Sequence, residues 1–148
     1  MYKSILIASD GSELADKAVS QGLGLAKELR ASVIAVTVTE TWSVQEMAAE
    51  VQSGHTNPIA DYEEKEKTWA QKILAGISET ARTMGVACQT VHVRDRHPAD
   101  GIVETADSKH CDLIVMASHG RRGLDKLLLG SQTLKALAHT KRPILVVR

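Results

Sequence analysis

The chain has 148 residues, enough for one domain with a proper core, and apolar residues make up 43% of them. Eighteen basic residues offset eighteen acidic ones, which argues against a global field that would draw the chain to nucleic acid or anionic lipid. No apolar run approaches a membrane span and the N-terminal run is too short for a signal h-region, so a cytoplasmic protein is the default expectation.

Phe is absent, so the core must be built from Val, Ile, Leu, Ala and Met. Ser4 to Ser9 (SILIAS) reads as a buried strand, and Ser12 as the N-cap of a helix through Arg30, with Leu14, Ala18, Leu25 and Leu29 near helical spacing. Ser32 to Val38 (SVIAVTV) is a second, β-branched strand. Thr39 to Asn57 is longer than a usual βα loop; it holds either a short helix near Val44 to Val51 or a flap over a site. A helix then runs from Pro58 or Ile59 to Met84, with Trp69, Ile73, Ile77, Ala81 and Met84 on its inner face and Gly85 just past its end. Gln89 to Val93 is a third strand. Another helix starts near Pro98, with Ile102, Val103 and Ala106 facing inward, before a strand at Leu113 to Ala117. The last helix opens at Gly130-Ser131 and ends near Thr140, ahead of Pro143, and Ile144 to Val147 closes the chain as a fifth strand. Cys88 and Cys111 match no zinc or redox spacing and read as two buried reduced thiols.

Five strands alternating with helices imply a doubly wound, five-stranded parallel sheet with helices on both faces. With no repeat and no linker, residues 1–148 read as a single α/β domain. In such sheets ligands bind beyond the carboxyl ends of the strands, where the winding reverses. If the first strand is central, its end carries Ser9, Asp10, Gly11 and Ser12. The fourth ends at Met116, Ala117, Ser118, His119 and Gly120. Those two loops would meet at the crevice.

Asp10 is either a carboxylate for sugar hydroxyls or an adenine amino group, or a turn and capping residue. Gly120 allows a ligand close to the backbone. Gly130 and Ser131 open a helix whose free N–H groups and positive dipole end suit a phosphate, although an ordinary N-cap would read the same. Arg121 and Arg122 are either a phosphate clamp or a solvated pair. Gly123 and Leu124 to Leu129 suggest a loop folded back onto apolar surface. His119 faces the ligand or serves structurally. There is no Walker A loop, and Gly22-Leu23-Gly24 sits inside a helix rather than after a strand, so it is no dinucleotide fingerprint. His92 and His97 do not form a strong metal-ligand pattern.

Over its whole length, through ILIASDGS, HPADGIVETADSKHCDLIVMASHG, LLLGSQT and KRPILVV, the chain resembles the universal stress protein family, in its nucleotide-binding subgroup. Nucleotide-binding members carry G-x2-G-x9-G-[ST]; here the same frame reads Ala117-x2-Gly120-x9-Gly130-Ser131. The resemblance implies a Rossmann-like sheet of order 3-2-1-4-5 and ATP as ligand, with a divalent ion such as magnesium or manganese able to bridge its phosphates. It also implies a homodimer through Ile144 to Val147. By the same resemblance Asp10 contacts the adenosine part, and backbone at Val38 and Met116 flanks the base. Ala117, Gly120, Gly130 and Ser131 surround the ribose and phosphates, with Gln132 and Thr133 as further backbone or hydroxyl donors.

Three functions compete. The first is a small ATP-binding stress-response or regulatory protein without efficient turnover, since no general base sits beside a positioned nucleophile and no carboxylate pair suits two metals. The second is a slow ATPase or a nucleotidyl- or phosphoryl-transfer enzyme using Asp10, His119 and Ser131. The third is an interaction protein whose site is vestigial because Ala117 replaces glycine.

Overall fold

Short β-branched runs separated by capped amphipathic helices dictate the architecture. A computed structural model describes every residue except His55 and 122–128. In chain order the elements are β1 (Ser4–Ala8), α1 (Glu13–Leu29), β2 (Ser32–Val38), α2 (Val44–Gln52) and α3 (Pro58–Met84). They continue with β3 (Cys88–Val93), α4 (Pro98–Ser108), β4 (Leu113–Ala117), α5 (Ser131–His139) and β5 (Ile144–Val147). The strands form one all-parallel sheet of order β3-β2-β1-β4-β5, as expected. β1 is central, and Ile5, Leu6 and Ile7 are wholly buried.

Strand alternation sorts the core into two layers. Ile5, Ile7, Val33, Ala35 and Val115 face α1 and α3, where they meet Val19, Leu23, Leu74 and Ile77. Leu6, Ile34, Val36, Ile114 and Met116 face the opposite way and pack with Ile102, Val103 and Ala106 of α4 and Ala136 of α5. Helix ends follow the local chemistry. Ser12 accepts a hydrogen bond from Ala15 N at 3.2 Å to start α1. Gly85, in the left-handed region at φ 73°, ends α3.

Two expectations need correction. The buried stripe of α3 is Ala70, Leu74, Ile77 and Ala81, whereas Trp69 and Ile73 lie only half-buried at its edge. An amphipathic pattern gives a face only to within one residue per turn, and here the aromatic edge turns toward the sheet's carboxyl end. Cys111 is buried but Cys88 is half-exposed, because β3 is an edge strand. Burial raises the pKa of both thiols. Of the two readings of residues 39–57, the short helix is the one present: α2, started by a reciprocal capping box between Ser43 and Glu46. Among the described residues no helix is long and apolar enough to cross a membrane.

Two glycines of α1 should respond oppositely to alanine. A Cβ on Gly22 would lie 2.6 Å from Ile7 Cδ1 and 2.9 Å from Ile7 Cγ1, in the buried centre, whereas one on Gly24 would meet nothing within 4 Å. Gly22→Ala is expected to destabilise the fold by about 1–3 kcal/mol through overpacking. Gly24→Ala should stabilise it by about 0.5–1 kcal/mol through helix propensity. Urea unfolding of the two variants checks the opposite signs.

Candidate functional site

The winding reverses between β1 and β4, so the loops leaving them diverge and leave a gap above their carboxyl ends. At the β1 end, Gly11 takes φ 76°, and a Cβ there would lie 2.8 Å from Ile73 Cδ1. The left-handed φ favours glycine, and a Cβ would also require the Ile73 side chain to shift. Ser9 Oγ accepts from Gly11 N at 3.2 Å, and Asp10 Oδ1 accepts from Ser12 N at 3.0 Å. The second oxygen of Asp10 accepts from Arg121 N at 2.7 Å. One carboxylate therefore closes its own turn and ties the loop after β4 to the loop after β1. Gly120 makes the approach possible, because a Cβ on it would lie 2.8 Å from Asp10 Oδ2.

The β4 end is pinned just as closely to α5. Gly130 N donates to Ser118 O at 2.8 Å, and a Cβ on Gly130 would sit 3.1 Å from that oxygen. Thr133, only 2% exposed, donates its hydroxyl to Ala117 O at 3.1 Å and Ser118 O at 3.0 Å. Gln132 Oε1 accepts from Ala99 N at 3.0 Å and so caps α4 across the gap. These two side chains are committed to holding the fold, which leaves their backbone N–H groups for a ligand. Gly130 is the N-cap of α5 and no side chain among the described residues caps that helix. Ser131, at its first position, is exposed.

Ala117 occupies ordinary strand backbone, is absent from the positive-φ residues, and packs against the core layer under α1. The position therefore requires no glycine for its conformation. Gly120 and Gly130 likewise have no positive φ; their reason is clearance. His119 Nδ1 lies 3.0 Å from Ser118 Oγ. Arg121 lines the cleft with its guanidinium 3.9 Å over the Trp69 ring. Arg122, Gly123 and Leu124 to Leu128, and the back-folded loop expected of them, lie outside the described residues.

All nine residues singled out as ligand-binding candidates, Asp10, Val38, Met116, Ala117, Gly120, Gly130, Ser131, Gln132 and Thr133, line a single cleft of about 630 Å³. Its far wall comes from residues that sequence reasoning missed: Glu40, Glu46, Tyr62 and Glu66. Tyr62 stacks on Trp42, with ring centroids 4.6 Å apart and planes 8° from parallel, and donates to Glu40 O at 3.2 Å. The spacing of Tyr62, Glu66, Trp69 and Ile73 places them along one side of α3, but nothing in that spacing says what the side faces. A second hollow of about 510 Å³ is lined by Glu40, Thr41, Asp95, Arg96, His97, Asp100 and Glu104. His97 Nδ1 approaches Glu40 Oε1 at 3.4 Å, and His92 Nε2 pairs with Thr39 Oγ1 at 2.9 Å. Burial, with Arg94 nearby, lowers the pKa of His92. No cluster of metal-ligating side chains occurs among the described residues.

The model of the universal stress protein family matches residues 1–148. A universal stress protein of Methanocaldococcus jannaschii is 33% identical over 148 residues, covering 100% of this chain and 83% of that protein. A hypothetical protein solved as a test case of structural genomics superposes with a TM-score of 0.79 at 26% identity, over 99% of this chain and 96% of the other. A universal stress protein crystallised in complex with cAMP superposes with a TM-score of 0.71 at 25% identity, over 99% and 97% of the two chains.

Proposed function

The chain belongs to the universal stress protein family, and from that premise we propose that its cleft binds an adenine nucleotide, ATP included, in a cytoplasmic stress-response protein without efficient turnover. The observation that carries this reading is the uncapped start of α5. Gly130 is fixed to the end of β4, the Thr133 and Gln132 side chains are engaged elsewhere, and the first N–H groups of the helix border the cleft. Such an end holds partial positive charge and unmet donors, and it suits a phosphate. The base end falls near Val38 and Met116, with Ile102 beside them, an apolar slot suited to a flat ring. The cAMP complex of a structural relative supports the same ligand class.

Ala117 supports a working site over a vestigial one, because its methyl packs into the core layer on strand backbone. Asp10 supports binding over hydrolysis. Both of its oxygens already hold backbone N–H groups, so it is not poised as a general base. A divalent ion bridging the phosphates of ATP is compatible with this reading and needs no dedicated protein cage.

The test exploits a substitution that strengthens the helix while spoiling a phosphate site. Ser131→Asp places a carboxylate at the first position of α5, where it complements the helix dipole by about 0.3–1 kcal/mol. It also puts negative charge where phosphate is to lie. Calorimetric titration is expected to give ATP and AMP affinities weakened about tenfold or more, with adenosine little changed and thermal stability preserved. Unchanged ATP affinity in the folded variant would remove the phosphate assignment.

The proposed assembly is a homodimer on β5, an edge strand of the sheet. Pro143 O and Val147 O accept from Ile114 N and Ser118 N, so the odd-numbered residues of β5 address β4. Ile144 and Val146 then direct their N–H groups to the open side. Leu134, Leu137 and Leu145 are exposed at 53%, 42% and 36% on α5 and β5. A two-fold axis would let the same strand of a second chain pair there. Val146→Pro removes an outward donor without touching the internal ladder, and sedimentation should show it shifted toward monomer. A monomeric unmodified chain at micromolar concentration would reject the dimer, and a dimeric folded proline variant would reject this interface.

A further inference from the structure

The cleft is lined by the start of α5, where phosphate is proposed to lie, and by one side of α3. Tyr62, Glu66, Trp69 and Ile73 form a stripe along α3. The stripe is fixed at both ends: Tyr62 stacks on Trp42, Trp69 lies under Arg121, and Ile73 fills the space beside Gly11. Glu66 sits between those anchors, half-buried, and lines the cleft. It has no hydrogen bond or ion pair with any described residue.

Its isolation distinguishes it from the other acids of the cleft. Asp10 holds two backbone N–H groups, Glu40 faces His97, and Glu46 is bonded to Ser43. Among the described lining residues the only lysine or arginine is Arg121, whose guanidinium rests on Trp69. Glu66 thus presents a carboxylate with no direct ion-pair partner among the described residues to a cleft partly shielded from water, where screening is weaker than on an open surface. A neutral base or ribose is indifferent to that charge. A phosphate chain is repelled by it, and the repulsion grows with each further phosphate.

We propose that Glu66 makes this cleft sort adenine ligands by charge, admitting a nucleotide with one phosphate in preference to a metal-free triphosphate. The inference rests on the nucleotide-binding reading above and names the ligand subclass it favours. Glu66 is a specificity residue acting through space, and specificity of this kind comes from the repulsive element as much as from the attractive one.

Glu66→Gln keeps the size and the acceptor oxygen of the side chain and removes only its charge. Titrations of ATP, AMP and adenosine into both proteins in EDTA buffer provide the test. ATP should bind the variant roughly threefold or more tightly than the unmodified chain. AMP should gain less and adenosine nothing, and the ATP gain should shrink as salt is raised. An unchanged ATP affinity, or an equal change for all three ligands, would overturn the charge selection while leaving the nucleotide reading in place. If neither protein binds any of the three, both fall together.

Discussion

The constraint on which the site depends is the reversal of winding between β1 and β4. Parallel strands must be joined by crossovers, and the crossovers leaving β1 and β4, to β2 and to β5, lead to opposite sides of that pair. No helix can cover the gap this leaves above the strand ends. The Asp10 carboxylate spans it, receiving Ser12 N from its own loop and Arg121 N from the other. A charged acceptor holding two backbone donors is a strong tie, and it joins the two loops that border the cleft. Gly11 and Gly120 are the consequences: the first lets the turn pass Ile73, the second lets the β4 loop reach Asp10.

A division of labour follows from the same geometry. Side chains near α5 that look like ligand donors are used to build the frame, Thr133 on the ends of β4 and Gln132 on the start of α4. Backbone N–H groups are left to meet a ligand. Such donors are oriented by the helix itself and cost little to hold in place. On the proposed reading this suits a protein that must recognise a nucleotide without transforming it.

Much of the architecture was legible in the sequence because period-2 runs and caps are local signals. β2, β4 and β5 fall on the residues their patterns indicate, and Ser12, Gly85 and Pro58 mark helix ends as their chemistry predicts. The strand order and the resemblance together indicated which two loops would face one cleft. Less legible was the α3 wall. An aromatic or acidic residue on a helix edge gives no local sign of whether it meets core, solvent or a cleft, and Trp69 was accordingly read as core. Nor could the sequence reveal that Thr133 and Arg121 would find partners within the protein. Those partners, Ser118 and Trp69, depend on tertiary approach of segments distant along the chain.

The central claim is that adenine nucleotide occupies the cleft with phosphate at the start of α5. Amide chemical-shift mapping tests it most directly, by titrating AMP into the nitrogen-15-labelled protein. The account predicts shifts concentrated at Gly120, Gly130, Ser131 and Gln132, with a second group at Val38 and Met116, and little change at Asp95, Arg96 and Glu104 in the neighbouring hollow. A saturating response confined to that hollow, or no response at millimolar AMP, would contradict it.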